Sequence, residues 1–122
     1  MSDESRARVH AGIPKTGLTF WAPVVEMARD PRWGRTEECY GEDPYLTAQL
    51  SLAFVKGLQG NHPKYLKTIA APKHFAANNE EWNRHNGSSE VDEQLLREYY
   101  LRPYQVLVEE GKVKSIMAAY NR

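Results

Sequence analysis

Five side chains spread over 86 positions carry the chemistry this chain has to offer: Arg35, Lys73, His74, Arg84 and Tyr120. Three guanidinium or ammonium groups, an imidazole and a phenol make a donor-rich set. Such a set suits sugar hydroxyls, a phosphate or a carboxylate, and the planar fork of arginine suits paired oxygens in particular. A phosphate site normally adds a Gly-rich loop opening a helix, and no such loop is present. Sugar hydroxyls are therefore the favoured ligand chemistry. Arg35 lies in a charged, aromatic loop, Arg29-Asp30-Pro31-Arg32-Trp33-Gly34-Arg35 running on to Gly41-Glu42-Asp43-Pro44, too polar for core and too specific in composition for a spacer.

Plainer roles exist for each of these residues. Arg35 can pair with Glu37, Glu38 or Glu42, although Arg32 is the better candidate for that supporting task. Arg84 can pair with Glu80 or Glu81, Trp33 reads as a loop anchor, Lys73 and His74 suit a solvated strand end, and Tyr120 suits core. The adjacent acids Glu37/Glu38 and Glu80/Glu81 do not read as a catalytic carboxylate pair, because neighbouring loop side chains diverge. His10, His62 and His85 read as surface residues, and the four histidines lack metal-ligand spacing. The single cysteine, Cys39, excludes an internal disulfide.

The elements that must hold these groups follow from periodicity and punctuation. Residues 2–11 read as a helix end. Thr19 to Met27 is apolar and β-branched, a buried strand that Pro23 places at an edge or at its last turn. Asp43 and Pro44 are set as N-cap and first residue of a helix with an apolar face at Leu46, Leu50, Ala53, Phe54 and Leu58, closed by Gly60. Thr68–Ala71 is a second strand running into Pro72-Lys73-His74-Phe75, followed by a polar loop over 76–91. Asp92 caps a second helix with its face at Leu96, Tyr100, Pro103 and Leu107; Pro103 is expected to kink it and Gly111 to end it. Val113–Ala119 is a third strand.

Two consecutive βα units and a third strand imply parallel pairing with right-handed crossovers, and so an α/β fold. Three strands with two helices leave a parallel sheet incompletely covered and its edges open. The reading is a partial (β/α)8 barrel, cut from a larger domain, with marginal stability alone and a tendency to associate. In that arrangement all five singled-out residues fall at the C-terminal ends of successive strands, the rim on which barrels carry their active sites.

Composition narrows the partners. A formal net charge of zero argues against a nucleic-acid partner, and no apolar run approaches the ~20 residues of a membrane helix. Hydrophobic residues at 41% and charged residues at 26% fit a globular chain. The first residues lack the apolar stretch of a secretory signal, so localisation stays open, with a secreted or periplasmic parent compatible.

Several motifs, in order and over nearly the whole chain, resemble family 3 of the glycoside hydrolases. They are Arg29 to Arg35 with Glu38 and Gly41-Glu42-Asp43-Pro44; Lys73-His74-Phe75; Asn78-Asn79-Glu80 leading to Asn83-Arg84; the helix Leu96-Arg97-Glu98-Tyr99-Tyr100-Leu101; and Met117-Ala118-Ala119-Tyr120-Asn121. The likeness runs to the β-glucosidase and β-xylosidase branches. Ala76-Ala77-Asn78-Asn79-Glu80 stands where the family's N-acetylglucosaminidases carry a Pro-Gly-His loop, which argues against that branch.

The resemblance implies that residues 1–122 are a fragment of the family's N-terminal domain, from a retaining exo-hydrolase of β-glycosides that needs no cofactor. It implies that Arg35, Lys73, His74, Arg84 and Tyr120 line the subsite of the terminal sugar. Retaining chemistry uses two carboxyl groups about 5 Å apart. By the resemblance, the nucleophilic aspartate lies beyond Arg122 and the acid/base in a following domain, so the catalytic pair is expected from the remainder of the parent enzyme and the 122 residues alone are expected to be inactive. The rival readings are a sugar-binding module without catalysis and a phosphosugar-binding barrel of another family.

Overall fold

The computed structural model describes residues 1–122. Its elements in chain order are helix α1 (Ser2–His10), strand β1 (Thr19–Phe20), helix α2 (Pro44–Gln59), strand β2 (Ile69–Ala70), helix α3 (Glu93–Leu95) and helix α4 (Arg102–Glu109). The arrangement is α/β, with β1 and β2 parallel in the register Thr19↔Ile69 and Phe20↔Ala70.

The ladders are shorter than the apolar runs suggest, and proline accounts for much of the difference. Pro23 and Pro72 have no N–H to give a ladder. Beyond Phe20 the pairing resumes only at the parallel bridge Val24↔Lys73, so the first strand advances four residues against three on its neighbour. That is a one-residue bulge around Trp21–Pro23. Pro23 lies on a strand with a neighbour on one side only, as expected of an edge; its carbonyl accepts from the Lys73 N–H at 3.0 Å, inside the pairing. The third strand contracts to the parallel bridge Phe75↔Ala118. Met117 N–H donates to Pro72 O at 2.9 Å and Ala119 N–H to Phe75 O at 2.7 Å.

The Asp43 side chain caps α2 by accepting from Tyr45 N–H at 2.8 Å, with Pro44 in the first turn and Gly60, at φ 74°, ending the helix. The buried face of α2 differs from the expected one. Leu46 and Leu50 stand 44% and 43% exposed, whereas Thr47, Ala48, Ser51, Leu52, Val55, Leu58 and Gln59 are buried. Apolar side chains occur on more than one side of this helix, and the side carrying small Ala and Ser lets its axis approach the strands. The second helical stretch is interrupted just before Pro103, with a bend at Leu101, where a kink is expected. A π-helical turn over Leu96–Tyr100 follows α3, and α4 restarts with Pro103 in its first turn, where a missing N–H leaves no bond unmade. Asp92 caps the stretch through Leu95 N–H at 2.9 Å.

One apolar cluster joins Ala48, Leu52, Val55 and Leu58 of α2 to Tyr104, Val106 and Leu107 of α4 over Val25 and Ala70 of the strand segments. Polar pegs lock it: Thr68 Oγ1 donates to Leu58 O at 2.7 Å and Gln59 Nε2 to Gly111 O at 2.9 Å. A smaller cluster of Met27, Ala77 and Tyr100 lies under the loops at the C-terminal ends of the strands.

Candidate functional site

The loop after β1 is built by its own short-range bonds. Ala28 N–H donates to Gly41 O at 2.8 Å and closes the base of the loop. Asp30 accepts the Arg32 N–H at 2.9 Å and the Arg32 guanidinium at 2.6 Å, contacts that hold its carboxyl at about 2. Arg32 is therefore folded back on Asp30 in solvent and does not support the loop's other acids, contrary to expectation. Trp33 is buried and anchors the loop, its indole N–H donating to Glu81 Oε1 at 3.3 Å. A 3₁₀ turn over Thr36–Glu38 follows, placing Arg35 and Glu38 on one side.

Arg35 takes the supporting pair itself. Its Nε and Nη2 donate to the two oxygens of Glu38, both at 2.6 Å, and this contact depresses the Glu38 carboxyl below its usual value. Its third nitrogen, Nη1, lies 3.1 Å from His74 Nε2 and 3.9 Å from Glu81 Oε1. Three segments of the chain thus fix one guanidinium.

Behind His74 sits Glu26, and both side chains are almost wholly buried. Glu26 Oε1 accepts the His74 backbone N–H and lies 3.1 Å from Nδ1 of the ring. Lys73, next to His74, is half-buried; its ammonium has no hydrogen-bond partner but acts on Glu38 through its charge.

The loop after β2 carries the rest. Glu81 Oε2 accepts from Arg84 Nη1 at 2.8 Å, so Glu81 joins Trp33, Arg35 and Arg84 across the two loops. The Arg84 guanidinium lies over the Tyr120 ring, 5.0 Å from its centroid, and His85 meets the same ring edge-on at 4.9 Å. Tyr120 is 47% exposed, not core. Beside Arg84 opens a polar cavity of about 120 Å³ lined by Asn78, Asn79, Ser89 and Asn121 among others. Asn79 Nδ2 donates to Met27 O at 3.0 Å and Asn121 Nδ2 to Ala76 O at 3.2 Å, tying the loop to the strand ends.

The structure therefore joins Arg35 to His74, and Arg84 to Tyr120, with Glu81 bridging the two pairs; Lys73 flanks them without direct contact. Arg35 and Arg84 each take the supporting ion pair, with Glu38 and Glu81 respectively. Glu26 and the bridging role of Glu81 escaped the sequence reading. An acid inside the apolar run Val24-Val25-Glu26-Met27 was the available signal for Glu26. Because Arg35 and Arg84 each already hold a carboxylate, the site offers oriented hydrogen-bond donors with little uncompensated positive charge. That suits a neutral, hydroxyl-rich ligand better than a phosphate.

Known proteins bear on this geometry. The profile of the glycosyl hydrolase family 3 N-terminal domain matches residues 7–122. Beta-D-xylosidase 1 of Arabidopsis thaliana is 42% identical over 127 aligned residues, covering 100% of this chain and 16% of that protein. A xylan 1,4-beta-xylosidase of Xylanibacter ruminicola is 43% identical over 86% of the chain and 12% of its own length. Among solved structures, an exo-beta-xylosidase in complex with a xylobiose aziridine probe superposes with a TM-score of 0.91 at 37% identity, covering 98% of this chain and 16% of that one. Beta-glucosidase 3B of Thermotoga neapolitana, in complex with alpha-D-glucose, superposes with a TM-score of 0.78 at 40% identity over 85% of this chain and 14% of that one. The chain spans about a sixth of the length of such relatives.

Proposed function

The chain belongs to glycosyl hydrolase family 3, and from that membership we propose that it is a segment of the N-terminal (β/α)8 barrel domain of a retaining β-glycosidase, acting on β-xylosides or β-glucosides. Its contribution is the cradle of the terminal sugar. Arg35 and Arg84 present fixed donors, Lys73 an unpaired one, His74 a ring nitrogen, and Tyr120 an aromatic face and hydroxyl. The observation that carries this reading is the joining of Arg35, His74, Glu81, Arg84 and Tyr120 from three segments at one end of the parallel strands, with the guanidinium charge already balanced by Glu38 and Glu81.

The nucleophile and the acid/base are assigned to parts of the enzyme outside these residues, and the 122 residues alone are expected to bind sugar weakly without turning it over. The test is hydrolysis of nitrophenyl β-xyloside and β-glucoside by the chain at high concentration, beside its Lys73→Ala variant, with calorimetric titration of xylose and glucose. Absence of turnover with millimolar sugar binding supports the reading. Turnover that disappears in Lys73→Ala would mean a carboxylate within the chain does the chemistry. Phosphate binding tighter than sugar binding, lost in Arg35→Ala, would turn the assignment toward a phosphosugar.

A further inference from the structure

Glu26 takes no part in the sugar cradle as drawn above, yet it is the most deeply placed acid at the site: its side chain is 2% exposed and that of His74 is 3% exposed. A carboxylate in such a place needs hydrogen-bond donors, and His74 supplies two, the backbone N–H and the ring nitrogen Nδ1, both to Oε1. The other oxygen, Oε2, is buried with no protein partner. At 3.1 Å from Oε1, Nδ1 must carry a proton, since a carboxylate only accepts. On the other side of the ring the constraint is opposite. Arg35 Nη1 is a donor without a lone pair, so His74 Nε2, 3.1 Å away, must accept. Both conditions hold together in one tautomer alone, with the proton on Nδ1 and the lone pair on Nε2.

We infer that Glu26 is a positioning residue that fixes the orientation and tautomer of His74, so that the ring presents a hydrogen-bond acceptor, not a donor, to Arg35 and through that contact holds the guanidinium in place for the ligand. Resting on the sugar-binding reading, this names what each part of the cradle recognises. Arg35, Lys73 and Arg84 meet hydroxyl lone pairs, while the single lone pair of His74 Nε2 is engaged by Arg35 and aims its guanidinium. Glu26 acts here as an orienting second partner of the imidazole, whose two nitrogens are set by opposite neighbours.

The test reads the ring directly, in the ligand-free chain labelled with 15N-histidine. Long-range proton–nitrogen correlations at neutral pH separate the tautomers, and the His74 signals among the four histidines are those lost in His74→Gln. The expected pattern is a protonated Nδ1 with an unprotonated Nε2. A proton on Nε2, on both nitrogens, or exchanging between them overturns the proposal. Glu26→Leu should shift the ring from that pattern, whereas Glu26→Gln, whose amide oxygen still accepts both N–H groups, should keep it. If Glu26→Leu fails to fold, the wild-type pattern and its retention in Glu26→Gln still decide the matter.

Binding of xylose or glucose adds the link to the site. Glu26→Leu should weaken it about tenfold and Glu26→Gln by no more than about threefold. A shifted tautomer with unchanged affinity overturns the link. Absence of sugar binding by the wild type, with the tautomer as expected, would instead sink the sugar reading and leave Glu26 as the residue that sets His74.

Discussion

The helix layer and the loop rim are held by different physics. Between α2 and α4 the contacts are apolar and spread over many side chains, none of which is singly decisive for direction: Leu52, Val55, Tyr104 and Leu107 fill volume. At the rim the contacts are few, polar and directional, and several join residues distant in sequence, as Arg35 to His74 or Trp33 to Glu81. Loss of volume in the first region costs stability. Loss of a partner in the second region costs geometry, because a guanidinium or an imidazole that loses one neighbour is free to turn.

Substitutions can break that contrast or sharpen it. The largest effect on folding is expected from Leu107→Ala, since Leu107 is 1% exposed in the middle of the helix layer. Its loss should reduce stability by about 2–5 kcal/mol in urea titrations followed by circular dichroism. The fraction that remains folded should keep the His74 tautomer, and a rim disturbed in that fraction would break the distinction.

The reverse signature is expected of Glu81→Gln. This change removes the carboxylate shared by Arg84, Arg35 and the Trp33 indole. Stability should fall by no more than about 1 kcal/mol, as for partly exposed ion pairs. Sugar affinity should fall about tenfold, the scale of a displaced charged hydrogen bond. A stability loss as large as that of Leu107→Ala would place Glu81 with the core.

Acid sharpens the comparison from another direction. Hydrogen bonds from Arg35 lower the folded-state value of the Glu38 carboxyl from its ordinary 4.5. A depressed carboxylate contributes stability that is fully present above its unfolded value and is lost as pH falls through its folded value. The difference in urea midpoint between wild type and Glu38→Gln should therefore be constant through the neutral range and shrink below about pH 4.5. Glu38 is partly exposed, so the difference should be small, and a difference that grows in acid would contradict the pairing.

The smallest effect should come from Arg32→Ala, whose side chain is 89% exposed on Asp30. Neither urea midpoint nor sugar affinity should move beyond error, in contrast with Arg35 three residues further on. A loss of affinity in Arg32→Ala would mean that the rim extends further along the loop than its ion pairs indicate.

Those two arginines also mark how far the sequence could be read. Local features were legible because neighbours in sequence determine them: the Asp43 and Asp92 caps, the Gly60 stop and the strand–helix alternation all rest on contacts within a few residues. The list of polar groups at the strand ends was legible for the same reason. Which arginine would take Glu38 was not, because Arg32 and Arg35 differ less in local sequence than in what Asp30 and His74 offer them across the fold. The buried side of α2 was hidden because its small Ala48 and Ser51 carry less apolar signal than the exposed Leu46 and Leu50. Glu26 was hidden inside a run whose apolar neighbours read as strand, since its reason for being there lies 48 residues away.

That distance has a bearing on the order in which the molecule assembles. As the chain is made from its N-terminus, Arg35 meets Glu38 almost at once, whereas His74 and Glu81 are still unmade. The same carboxylate that later shares the guanidinium is thus the first partner within its reach. The capping aspartate and the closing glycine let α2 form from local contacts, but the rim has no such shortcut. It closes only after some forty further residues are in register, so long-range loop closure, rather than local helix formation, sets when this end of the molecule becomes a site.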